Sequence, residues 1–154
     1  AILIILLLST LGNISPFRYN HYENYLTEIS TVVSKDNRVL ANLNSEFYFN
    51  NDRLHDYRNL AYLKENNLTF KEYIENNGIE YIIYPEEMDF IYNSRPLWNG
   101  IYGNTYYYYE DMIDFLKNHC YLVHEFNNSI YGNRIARYIN TENWNIKIYQ
   151  VKKQ

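Results

Sequence analysis

One cysteine, Cys120, among 154 residues rules out a disulfide within the chain, so a hydrophobic core has to hold the fold. Positive charge is also scarce. Lys and Arg number 14 against 18 Asp and Glu, for a formal net charge of −4. Recognition of nucleic-acid phosphates draws on a surplus of cations, and this balance argues against it and against electrostatic attraction to an anionic surface. With 3 Pro and 5 Gly there is no linker and no internal repeat within 15–151. No G-x-G-x-x-G, P-loop lysine or G-x-S-x-G occurs, so the signatures of nucleotide binding and of hydrolase chemistry are missing and no cofactor is expected. The length suits one domain of ordinary size.

What the chain does have is tyrosine, 19 of them against 7 Phe and 2 Trp. Together with abundant Asn, Ile and Lys, this is the signature of AT-rich codons, which account for the tyrosines better than interface chemistry does. The Asn-X-Ser/Thr triplets at Asn13, Asn67 and Asn127 follow from the same asparagine density.

The opening "AILIILLLSTL" is the one long apolar run. As a helix it measures roughly 16 Å, against the roughly 30 Å of a bilayer core. It reads as the end of a longer transmembrane helix, as a signal-peptide core or as a buried first element. No basic stretch precedes it and no small-x-small cleavage site follows, which disfavours a signal peptide. A buried strand would carry turn signals and less uniform Leu and Ile. With no initiator Met, the expectation is that 1–12 is the end of a truncated transmembrane helix and 13–154 a single α/β domain. The first cation after the run is Arg18, and this lack of flanking charge leans toward the extracytoplasmic side.

Periodicity then sets the elements. Ser15-Pro16 opens a helix whose inner stripe is Tyr19, Tyr22, Leu26, Ile29 and Val33. "RVLANL" (38–43) reads as a buried strand, and 52–65 as a second helix with Leu54, Tyr57 and Ala61 inward. Thr69 caps a short helix ended by Gly78, and "IEYIIYP" (79–85) is the second strand. A loop follows over 86–104, then a helix at 106–118 burying Tyr109, Met112, Ile113 and Leu116. "CYLVHEF" (120–126), "RIARYI" (134–139) and "WNIKIYQV" (144–151) are extended. The alternation predicts an α/β fold of three layers: a mostly parallel sheet, helices on both faces and an antiparallel C-terminal edge.

Three groups of residues bear on chemistry. His119, Cys120 and His124 match no standard zinc spacing, and His124 is better read as a hydrogen-bonded core histidine. Asp52, His55 and Asp56 share a helical face, where capping and solvation explain them without acid–base catalysis. Open parallel sheets take ligands beyond the carboxyl ends of their strands. Those ends carry Asn44 and Glu46, then Glu86, Glu87 and Asp89, with Arg95, Trp98 and Tyr102 in the long loop. Trp98 and Tyr102 suit a sugar's C–H face, and Glu86, Glu87 and Arg95 suit its hydroxyls. Packing of these aromatics onto the sheet, or against lipid headgroups, is the plainer alternative.

The runs "RVLANLNSEFYFNNDRLHDYRNLAYL", "GIEYIIYPEEMDFIYNSRPLWNGIYGN" and "LVHEFNNSIYGNRIARYI" with "WNIKIYQV" resemble the carboxy-terminal region of bacterial multi-pass glycosyltransferases, relatives of protein O-mannosyltransferases and aminoarabinose lipid A transferases. The resemblance covers about 38–151 and rests on overall texture. It implies a parent membrane enzyme that moves a sugar from a polyprenyl-phosphate donor to a lipid, glycan or protein acceptor. The present residues would form its extracytoplasmic, non-catalytic domain, which covers the membrane-embedded site and helps admit the acceptor. That family's catalytic Asp lies in an early loop with no counterpart here, so no catalytic residue and no metal follow from it. The expected partners are the rest of the parent protein, membrane lipid and a glycan or lipid-linked acceptor. The rival expectation is a membrane-anchored binding or scaffolding domain without enzymatic function.

Overall fold

The computed structural model describes residues 2–14, 22–128, 131 and 144–153. Helix α1 (Ile2–Ile14) leads to α2 (Tyr22–Ser30). Strands β1 (Val39–Ala41) and β2 (Leu54–Asp56) follow, then helices α3 (Ala61–Asn66) and α4 (Phe70–Asn76), and strand β3 (Tyr81–Pro85). Helices α5 (Glu87–Ser94) and α6 (Thr105–His119) precede strands β4 (Cys120–Asn128) and β5 (Trp144–Val151). Among the described residues, three short 3₁₀ segments, Leu43–Ser45, Tyr57–Leu60 and Pro96–Tyr102, fill connections.

The strands make one sheet in the order β2-β1-β3-β5-β4. Strands β1, β2 and β3 pair in parallel, and β5 runs antiparallel to both its neighbours. The fold is therefore the expected α/β arrangement, with one difference in placement. The antiparallel C-terminal strand is inserted beside β3, and β4 takes the rim. Strand β5 is apolar on both sides, with Trp144, Ile146 and Ile148 in one core and Tyr149 and Val151 packed against the other. Such a strand belongs inside a sheet. Strand β4 leaves Tyr121, Leu122 and Val123 exposed and has an irregular register between Leu122 and His124, as edge strands commonly do.

The sheet has a core on each face. Leu40, Ile82 and Tyr84 point into one, beneath α4, α5 and α6, with Phe70, Met88 and Met112 among its buried residues. Val39, Ala41 and Ile83 point into the other, where α2 lays Tyr25 and Ile29. Ile29 and Val33 are buried as expected, while Tyr25 takes the inner position one turn earlier and Leu26 is only partly buried. Tyr19 and the expected start at Ser15-Pro16 lie outside the described residues, as does "RIARYI".

Two other expectations change. Leu54, His55 and Asp56 form β2 and not the start of a helix, because their backbone pairs with Val39, Leu40 and Ala41. Helical structure begins only after Asp56, whose carboxylate accepts from Arg58 N at 2.7 Å. The 86–104 stretch is mostly ordered as α5 and a 3₁₀ segment; the acidic Glu87 and Asp89 suit α5's first turn, and Met88 and Ile91 are buried.

The Thr69 cap is present as expected, as a full capping box. Glu72 N donates to Thr69 Oγ1 at 3.2 Å and Thr69 N donates back to Glu72 Oε2 at 2.8 Å. Thr69→Ala should cost about 1 kcal/mol in urea denaturation. The hydrogen bonds from Thr69 hold the Glu72 carboxyl below its ordinary 4.5. A depressed carboxyl stabilises fully above its unfolded value, and that contribution is lost as pH falls through the lowered one. Glu72→Gln keeps the box without the titration, so its stability should change less than that of the wild type below pH 4.5, as read from paired acid titrations of unfolding.

Candidate functional site

The carboxyl ends of β1 and β3, with the segments that follow them, gather most of the residues expected to bind a ligand. What they do there is largely to bind each other. Glu87, in the first turn of α5, is 1% exposed and accepts a hydrogen bond from Tyr102 Oη at 2.6 Å. Tyr102 is fully buried, its hydroxyl 3.3 Å from that of Tyr131 and its ring edge-on to Tyr57 at 5.7 Å. Burial, and next the neighbouring Tyr131 and Glu87, push the Tyr102 phenol well above its ordinary value, so it stays a donor. Tyr102 and Glu87 thus do not face a ligand as expected. They form an interior hydrogen-bonded pair, as buried polar groups must.

Asp89 is held in the same way, accepting from both Tyr84 Oη and Tyr109 Oη. Burial of each phenol, reinforced by Asp89, raises both pKa values, which fixes the tyrosines as donors to the carboxylate. Glu86 takes Lys147 Nζ at 2.6 Å and Asn145 Nδ2 at 3.2 Å. The hydrogen bond to Glu86 is the main reason that Lys147 is raised from its ordinary value.

Arg95 and Trp98 stay together at the surface of this end. The Arg95 guanidinium lies 5.7 Å from the Phe90 ring centroid and 5.8 Å from that of Trp98. Trp98 is half-buried against Phe90, at 6.3 Å, and Phe90 in turn packs on Trp144 at 5.6 Å. Arg95 Nε, Trp144 Nε1 and Asn145 Oδ1 are buried without a hydrogen-bond partner.

A depression lies at the outer edge of the sheet, a groove of about 410 Å³ lined by Glu46, Phe49, Asp52, Leu54, Asp56 and Asn59 among others. It unites two residue sets that looked separate in the sequence, Glu46 after β1 and the Asp52/Asp56 pair. His55 does not join them. The two-residue period of β2 turns it to the other face, where it meets Tyr73. Burial and then Arg38 lower the His55 pKa, which keeps the imidazole neutral. Both Asp56 oxygens are engaged by the Arg58 guanidinium, at 3.0 and 3.2 Å.

The His119, Cys120 and His124 set disperses. His119 stacks on Phe115, burial pushes the Cys120 thiol up to about 12, and His124 Nε2 lies 2.9 Å from Glu28 Oε2. His124 is therefore hydrogen-bonded but half-exposed and not in the core. Among the described residues no group of three or more His, Cys, Asp or Glu could hold a metal ion.

Phe90 with Trp144, and Tyr109 with Asp89, had no local signal, since each pair is far apart in sequence. Comparison with known protein families, with curated proteins and with solved structures yields no match for this chain.

Proposed function

We propose that this chain is the non-catalytic, extracytoplasmic domain of a membrane glycosyltransferase, held at the bilayer through α1. The observation that carries the membrane part is the surface of that helix. Ile2 to Leu8 and Leu11 are each 57–81% exposed, and none of these side chains belongs to either core. A buried Leu or Ile side chain gains about 1.5–3 kcal/mol over an exposed one, so a helix apolar on every side is driven into hydrocarbon or against another protein. No helix among the described residues is long and apolar enough to cross a membrane. Its 13 residues reach about 20 Å at 1.5 Å each, enough to enter one leaflet and more.

The transferase part rests on the resemblance of 38–151, and the sugar would pass from a polyprenyl-phosphate donor to a lipid, glycan or protein acceptor in the parent enzyme. The domain's own residues supply cover. The tyrosine-to-carboxylate pairs at the carboxyl end of the sheet stiffen the 86–104 segment, which would form one wall of the acceptor's path.

Vesicle flotation tests the first part. The chain should rise with phosphatidylcholine vesicles, and a variant lacking residues 2–14 should stay in the aqueous fraction. A full chain that stays there as well sinks the reading. For the second part, the parent protein in native membranes should transfer labelled sugar from a polyprenyl-phosphate donor. A gene encoding a single apolar span ahead of this domain would favour an anchored binding module instead.

A further inference from the structure

Among the described residues, the most exposed large apolar side chain is Leu97, at 96%, and it sits at the carboxyl end of the sheet. It belongs to the 3₁₀ segment that follows α5, preceded by exposed Pro96 and flanked by Arg95 and Trp98. The position is fixed from within. Trp98 packs on Phe90, and Phe90 on Trp144, the first residue of β5, which pairs with Asn128 at the carboxyl end of β4. The interior of the protein holds the root of this tip and leaves its apex in solvent.

The charges at this end are unevenly partnered. Glu86 is paired with Lys147, Glu87 accepts from Tyr102, and Asp89 accepts from two tyrosines. Arg95 has no carboxylate partner among the described residues, and its buried Nε makes no hydrogen bond. A guanidinium spread over aromatic rings keeps its fork free for a planar or tetrahedral oxyanion. Arg beside Trp, with an aliphatic residue at the apex, is the composition of a membrane interface.

The direction of the chain points to the same end. In the first turns of α2, Tyr25 Oη reaches Ser45 Oγ, just after β1, at 3.1 Å, and its ring lies 5.2 Å from that of Tyr131, which follows β4. The amino end of α2 therefore lies at the carboxyl end of the sheet. A bilayer reached through that end of α2 would face the Arg95–Trp98 segment.

We propose that the Arg95–Trp98 tip is the domain's contact with the bilayer surface. Leu97 enters the acyl region, Trp98 lies at headgroup level, and Arg95 pairs with a lipid phosphate. This assignment rests on the membrane reading of α1 and adds which face of the domain lies against the lipid.

The test uses the full chain with Cys120→Ser and a single new cysteine carrying an environment-sensitive fluorophore. One variant is Leu97→Cys, and the other is Lys117→Cys, near the end of α6 and beside the amino end of β4. Both are added to vesicles of phosphatidylcholine and phosphatidylglycerol with brominated acyl chains. Strong quenching at position 97 and none at 117 is expected. Flotation of both variants with equal quenching, or with none, overturns the docking face while leaving the membrane role of α1 standing. Failure of either to float overturns the reading beneath it. Adding Arg95→Gln to the first variant should shift the ratio of docked to undocked tips by about fivefold, the worth of one cation near an anionic surface. An unchanged ratio overturns the phosphate contact.

Discussion

Gly103→Ala should remove a large part of the domain's stability, a loss of about 3 kcal/mol or more against the total of about 5–15 kcal/mol typical of a domain. Two separate penalties meet at this residue. Its φ of +66° lies in the left-handed region, which side chains with a Cβ adopt only at a cost. A methyl there would also stand 2.4 Å from Tyr57 O, 2.7 Å from Arg58 O and 2.9 Å from Ala61 N. All three neighbours are backbone atoms, so no rotamer change relieves the clash. They belong to the 3₁₀ turn at 57–60 and the start of α3, against which the end of the Pro96–Tyr102 segment is pressed. The urea midpoint of Gly103→Ala should fall far below that of the wild type. Gly100→Ala is the control, since a Cβ there meets nothing within 4 Å and its midpoint should hardly move. Equal midpoints for the two variants would show that the close approach at Gly103 is not needed.

Tyr102→Phe should cost about 2 kcal/mol, because the substitution takes a buried hydrogen bond from the Glu87 carboxylate, and a hydrogen bond to a charged group contributes more than one between neutral groups. The ring and its edge-on contact with Tyr57 remain, so the loss reports the hydroxyl alone. Tyr106→Phe is the comparison. Its hydroxyl donates to Tyr92 O at 2.6 Å, but at an exposed site where water can replace it, and the cost should stay under about 0.5 kcal/mol. Chemical denaturation of the two variants side by side checks the difference. Equal losses would mean that Glu87 finds another donor once Tyr102 is shortened.

The parts of the fold that the residues announce are those where one local rule suffices. "RVLANL" and "IEYIIYP" are apolar on both faces and became buried strands, and Thr69 with Glu72 and Gly78 marked both ends of α4. Helix α6 buries Tyr109, Met112 and Leu116 at the expected spacing, with Tyr108 and Phe115 added. Strand β2 escaped because three residues carry too little pattern to outweigh the helical spacing of Leu54, Tyr57 and Ala61, and only the neighbouring strand made them extended. The site was legible in location but not in exposure. Glu87 and Tyr102 stand among Asn, Gly and Pro residues that suggest a wet loop. Each nevertheless supplies what the other needs in order to be buried, a relation between positions 87 and 102 that no window along the chain displays. Arg95 and Trp98 did remain partly exposed, as did Glu86, whose carboxylate is taken up by Lys147 and Asn145.

The placement of α2 has a mechanical consequence. Among the described residues it is the only helix contributing fully buried side chains to its face of the sheet, and it is also the first element after α1. A pull applied to the chain ahead of α2 is therefore transmitted to Tyr25 and Ile29, prising at that core before it reaches the better-covered opposite face. The domain should yield under force from its α2 side, at loads that leave the α4–α6 layer assembled.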